Sequence, residues 1–108
     1  MSRRIDTRLL DNQTVDETTG EITPLARTKE HTFTVEWGIG TTAGVIEIEA
    51  GPYKGYTGTW SNLTQLSWPA ANRVDTARFS GPFKALRARI STVISTTNKG
   101  VTVDYSGI

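Results

Sequence analysis

In the stretch Gly81-Pro82-Phe83-Lys84-Ala85-Leu86-Arg87-Ala88-Arg89-Ile90 the side chains change character at every second residue. Leu86, Ala88 and Ile90 fall on one face and Ala85, Arg87 and Arg89 on the other, which is the two-residue period of a strand. The Gly-Pro pair starts the run as a turn. A strand with one apolar face has to be covered by a second layer, so this pattern already constrains the architecture. The same period recurs elsewhere. Phe33, Val35 and Trp37 share a face in Thr32–Trp37, and Ile46, Ile48 and Ala50 lie opposite Glu47 and Glu49 in Val45–Ala50. Ala77 and Phe79 are the core members of Val74–Ser80, and Val101–Tyr105 alternates last. No helical period longer than two turns competes with these signals.

The glycine-rich turn Gly38–Gly44 is expected to join the first two of these strands as an antiparallel hairpin. After the loop Gly51–Gly55, residues Tyr56–Trp60 read as a short strand in which Gly58 lets a neighbouring ring approach. Leu63, Leu66 and Trp68 sit in a less regular stretch interrupted by Pro69. The expected fold is all-β: an antiparallel β-sandwich or jelly-roll-like barrel of six to eight short strands. The 108 residues suit one domain whose core needs no staple. The absence of cysteine removes disulfides, thiolate metal sites and cysteine nucleophiles.

Residues 1–30 read differently from 31–108. They hold no aromatic residue and are rich in Thr, Asp, Glu and Arg, with scattered aliphatics at Ile5, Leu9, Leu10, Val15, Ile22 and Leu25. Asp16–Glu21 reads as a turn, and the flanking pieces around Val15 and Ile22 are expected to pair as a small hairpin that Pro24 ends. The segment is therefore expected to be an extended N-terminal arm ahead of a sandwich domain at 31–108, either a loose terminus or an arm whose six aliphatics bury on a neighbouring subunit. The basic start, Met-Ser-Arg-Arg, has no apolar run behind it, so no secretory signal and no membrane span is expected.

The candidate sites are few. His31 is the single histidine, which leaves no histidine pair for zinc, and it is expected to be solvated at a strand entrance. Glu47 and Glu49 stand about 7 Å apart on one strand face. That spacing suits glycoside hydrolysis, but an exposed soluble face is the simpler account. Trp37 and Trp60 fall in phase with core residues. Trp68, before Pro69, is the tryptophan expected to be partly exposed and free to meet a partner or a sugar. Arg87 and Arg89 form a basic stripe, which Arg78 joins if its strand lies adjacent. Cross-strand pairing with Glu47, Glu49 or Asp104 is the plainer role for it. A net charge of +1 excludes nucleic-acid binding by bulk charge. No cofactor, metal or catalytic residue is expected.

Three segments together resemble a known group: Gly-Val-Ile-Glu-Ile-Glu-Ala at 44–50, Tyr-Thr-Gly-Thr-Trp at 56–60 and Gly-Pro-Phe-Lys-Ala-Leu-Arg-Ala-Arg-Ile-Ser at 81–91, with Gly-Val-Thr-Val-Asp-Tyr at 100–105. They resemble small β-sandwich proteins encoded among the structural genes of tailed bacteriophages, and within that group the capsid decoration (cement) proteins. The resemblance covers residues 31–106. It implies a non-enzymatic virion protein, made in the host cytoplasm and placed on the outer surface of the capsid. It also implies that the partner is the major capsid protein and that the chain forms a dimer or trimer. The other expectation it leaves open is a receptor- or glycan-binding module of a tail or fibre, using Trp68 and loop residues near Tyr53. The surface residues expected to meet a partner are Trp68, Arg87 and Arg89.

Overall fold

The computed structural model describes residues 5–15, 20–25, 27–69 and 72–108. Eight strands follow in chain order: β1 (Ile5–Gln13), β2 (Gly20–Ile22), β3 (Glu30–Glu36), β4 (Thr41–Gly51), β5 (Ser61–Trp68), β6 (Val74–Ser80), β7 (Ala85–Thr96) and β8 (Val101–Gly107). They form two antiparallel four-stranded sheets, ordered β1-β8-β3-β6 and β2-β7-β4-β5. Among these strands only β4 and β5 are consecutive within one sheet; every other connection crosses to the opposite layer. The pairs β1–β8, β2–β7, β3–β6 and β4–β5 are the rungs of one long antiparallel ribbon. That ribbon is rolled up and stitched by the β3–β8 and β4–β7 ladders. This is a jelly roll, in which the apolar faces of the two sheets cover each other.

The core lies between the layers. Phe33, Val35 and Trp37 enter from β3 and the residue after it. Val101, Val103 and Tyr105 enter from β8, and Ile46 and Ile48 from β4. Leu86, Ala88, Ile90 and Ile94 complete it from β7, so the inward face of that strand is the one its alternation dictates. Each fully buried large side chain contributes about 1.5–3 kcal/mol relative to exposure. The Trp37 and Trp68 rings meet across the core at 6.0 Å.

Several expectations are corrected. The segment expected to be an arm supplies an edge strand to each sheet: β1 runs along β8 from Ile5↔Gly107 to Gln13↔Val101, and β2 along β7 from Gly20↔Ala88 to Ile22↔Leu86. Leu10 is 1% exposed, and Leu9 and Ile22 pack beside it, so these aliphatics bury in the chain's own core. Residues around Val15 and Ile22 do not form a hairpin, because β1 and β2 belong to opposite sheets. The Asp16–Glu21 turn lies largely outside the described residues. Nor do β3 and β4 pair: the chain crosses between layers at residues 37–40. Tyr56–Trp60 is loop, and the stretch from Ser61 to Trp68, with its irregular pattern, is the strand. A Cβ at Gly58 would fall inside the Tyr56 ring, so the close approach expected of this glycine does occur.

Candidate functional site

Three loops meet at one end of the jelly roll: residues 23–25 and 27–29 between β2 and β3, 52–60 between β4 and β5, and 81–84 between β6 and β7. Register brings them together, since Gly51 pairs with Ala85, Ile22 with Leu86, and Glu30 with Ser80. Between them lies a pocket of about 490 Å³. Pro24, Pro52 and Pro82 stiffen its three walls, while Leu25, Tyr53 and Phe83 supply apolar surface. Lys54 and Lys84 stand at its margin. Leu25 is 44% and Tyr53 59% exposed, so two large side chains of the lining face solvent.

The walls are held from below. His31, at the start of β3, is fully buried, and its Nε2–H donates to the Gly81 carbonyl at 2.7 Å. Because a carbonyl only accepts, the proton is on Nε2, and Nδ1 accepts from the Tyr105 hydroxyl at 2.6 Å. Burial pushes the Tyr105 phenol up to about 12. The Phe83 ring stands edge-on to His31 at 5.2 Å, and the Gly81 N–H donates to the Lys29 carbonyl at 2.8 Å. Gly81 itself has φ of +135°, a conformation that suits only glycine. The expectation that His31 is solvated is therefore corrected: it is buried and ties a wall of the pocket to the core. On the other side the Gly55 N–H donates to Glu21 Oε1 at 2.7 Å, which ties the 52–55 loop to β2.

The basic stripe lies on the outer face of the second sheet and is neutralised there. Arg87 Nε donates to Glu49 Oε1 at 2.6 Å, and Arg89 reaches Glu47 Oε2 at 2.8 Å and Glu49 Oε1 at 3.3 Å. Arg87 also lies over the Trp60 ring, 4.4 Å from its centre, and the Trp60 indole N–H donates to the Tyr56 carbonyl. This cover leaves Glu49 only 5% exposed. The Gln65 amide, with help from Ser91 and Arg89, holds the Glu47 carboxyl below its ordinary range. A carboxylate held ionised in this way is unsuited to protonate a leaving group. Arg78 does not join the stripe, since β6 lies in the other sheet, and Asp104 pairs instead with Arg8 at 2.8 Å.

The structure thus separates the residues singled out in the sequence. Trp68 turns toward the core and packs against it, half-buried, which removes it as a free aromatic platform. Arg87 and Arg89 are bound to glutamates. Of the six aliphatics at 5–25, Leu25 alone lines the pocket; Val15 is half-buried, and Ile5 lies opposite Gly107 in β1. The loop containing Tyr53 reaches the pocket as well. Sequence reasoning missed Pro24, Pro82, Phe83 and the His31 anchor, because the three loops are far apart along the chain. Among the described residues, no group of three His, Asp or Glu side chains is placed to hold a metal ion. No protein-family model matches the chain, and no curated protein is significantly similar to it. What the arrangement offers chemically is a rigid, apolar, positively bordered surface for binding.

Proposed function

We propose that the chain is a non-enzymatic structural protein of a tailed-phage virion, one that binds the outside of the head and staples neighbouring major capsid proteins. The observation that carries this reading is the preformed apolar end of the jelly roll, where Leu25 and Tyr53 stay exposed on proline-stiffened walls. Stiff walls lose little conformational freedom on association, so the exposed apolar area is available for affinity. The jelly roll is also an architecture found in viral capsid proteins, which supports the reading by analogy of fold alone. Copies acting together as a dimer or trimer would make each contact weak and the summed stabilisation of the shell large. The test mixes the purified protein with undecorated heads and follows co-sedimentation and the temperature at which the heads release DNA. Binding with a raised release temperature is expected; no binding, or an unchanged temperature, overturns the reading.

A second reading, a receptor- or glycan-binding module of a tail or fibre, is favoured by one observation. Tyr53 is largely exposed and held edge-on by Tyr56 at 5.3 Å, a geometry that suits stacking on a sugar ring. Glycan-array binding that Tyr53→Ala abolishes would select it over the first. Copy number per particle separates the two as well, with hundreds marking the head and a few to dozens marking the tail.

A further inference from the structure

We propose that the pocket formed by residues 23–25, 52–54 and 82–84 is a docking site for an acidic peptide segment, one that places a carboxylate beside an apolar side chain. As the source of that segment the inference takes the capsid partner, and to that extent it rests on the virion reading above.

Three features lead to this chemistry. The first is charge. The lining carries two cations, Lys54 and Lys84, and no carboxylate. Among the described residues neither lysine is paired with an acid. Of the nearby carboxylates, Glu21 accepts from the Gly55 N–H and Glu30 from the Ser80 hydroxyl, and among the described residues neither pairs with a lysine. Arg27 adds a further cation on the turn beside Leu25, closed by the Thr28 N–H donating to the Leu25 carbonyl at 2.9 Å. The contrast with Arg87 and Arg89, each bound to glutamate, is the telling one: the molecule neutralises its basic stripe on the sheet face and leaves its basic end open.

The second feature is the polar inventory. Besides the lysines, only Thr23 and Tyr53 bring polar side-chain groups to the lining. There is no Asp, Asn, Glu, Gln or Arg there to fork two sugar hydroxyls, so the lining favours a peptide over a glycan. Leu25, Phe83 and the proline rings instead match an apolar side chain flanked by backbone. The third feature is rigidity: the 81–84 wall is fixed through His31 and Tyr105, and the 52–55 wall through Glu21. A preformed groove with steering charges at its edge is how proteins take short linear segments with useful affinity.

The experiment selects binders to the full chain from a randomised library of short displayed peptides. It then measures the affinity of one recovered peptide for the wild type and for Lys54→Glu/Lys84→Glu, with amide chemical shifts recorded on both. The expected result is recovery of sequences enriched in Asp and Glu next to Leu, Phe or Pro, with shifts centred on Leu25, Tyr53 and Phe83. The double reversal should weaken binding by about tenfold or more, and rising salt should weaken it in the wild type. Both lysines are exposed, so the variant should melt as the wild type does. Recovered peptides without acidic enrichment overturn the proposal. So does binding indifferent to the double reversal, and so does a panel of sialylated and sulfated glycans moving these resonances where peptides do not. Heads that bind wild type and double variant alike overturn the pocket's role while leaving the virion reading intact. Peptides that bind the pocket while heads bind neither protein keep the site and remove the capsid as its source.

Discussion

Leu10→Ala is the most informative substitution in the molecule, because it decides whether the first strand belongs to the fold. Leu10 lies in β1 opposite Val103 and is 1% exposed, inside the same cluster as Phe33, Val103 and Tyr105. Truncation to alanine removes buried methyl and methylene groups and leaves a cavity that the sheets close only partly. Such changes cost about 2.7–5 kcal/mol. Against a total stability of about 5–15 kcal/mol for a domain, that is a large fraction. At about 4 °C per kcal/mol for a chain of this size, the melting temperature should fall by about 10–20 °C. The assay is urea unfolding followed by the fluorescence of buried Trp37 and Trp60, with calorimetry for the midpoint. Leu25→Ala serves as the control, since its side chain is exposed and its loss should leave the midpoint within a degree or two. If Leu10→Ala unfolds at the same urea concentration as the wild type, β1 is not part of the cooperative unit and the eight-stranded account is wrong. A shift matching that of Leu25→Ala would refute it equally.

Other outcomes follow from the polar groups. Tyr105 holds its proton up to about 12 in the folded protein against 10.0 when free. The unfolded chain therefore loses that proton first, and stability should fall by about 2 kcal/mol as pH rises from 10 to 12, seen in urea midpoints and in a late tyrosinate absorbance step that Tyr105→Phe removes. For Glu47 the sign is opposite. Its folded value lies below 4.5, so its contribution is present above that pH and is lost as acid protonates the folded form. Glu47→Gln should therefore flatten the acid limb of the stability profile. Glu49→Ala leaves Arg87 without its carboxylate beneath the Trp60 ring and should cost about 3 kcal/mol, measured by thermal melting.

What the sequence told of the fold depended on how regular each strand is. β3, β7 and β8 pair without interruption over the residues that alternate, so a two-residue period reads their faces directly. β1 does not. Its register shifts between Arg8 and Leu10 and again between Leu10 and Gln13, which puts Leu9 and Leu10 both against the core and sets Asn12 at φ of +53°. A strand with two such irregularities has no period to read, and its polar remainder resembles a loose arm. β5 was hidden for the same reason, by the shift that leaves Leu63 between residues paired to Ile48 and Glu49. Pairing of Arg87 and Arg89 with Glu47 and Glu49 was legible, because cross-strand neighbours of opposite charge are the simplest partners for an alternating basic face. The pocket was not, beyond Leu25 and the loop of Tyr53, because its walls come from three loops that only the rolled topology brings together.

That topology has a temporal consequence. The β4–β5 hairpin is the tip of the rolled ribbon, and β1–β8 is its far end. Of the described strands, β1 is made before the others and β8, its ladder partner, after them. Leu10 therefore lacks Val103, its neighbour across the ladder, until Val101–Gly107 has been made. Chains dominated by such distant pairings reach the native state slowly. During that interval an open strand is an invitation to another chain's unpaired edge. The rate at which β8 is delivered would then govern how much of the newly made protein matures and how much is lost to aggregation.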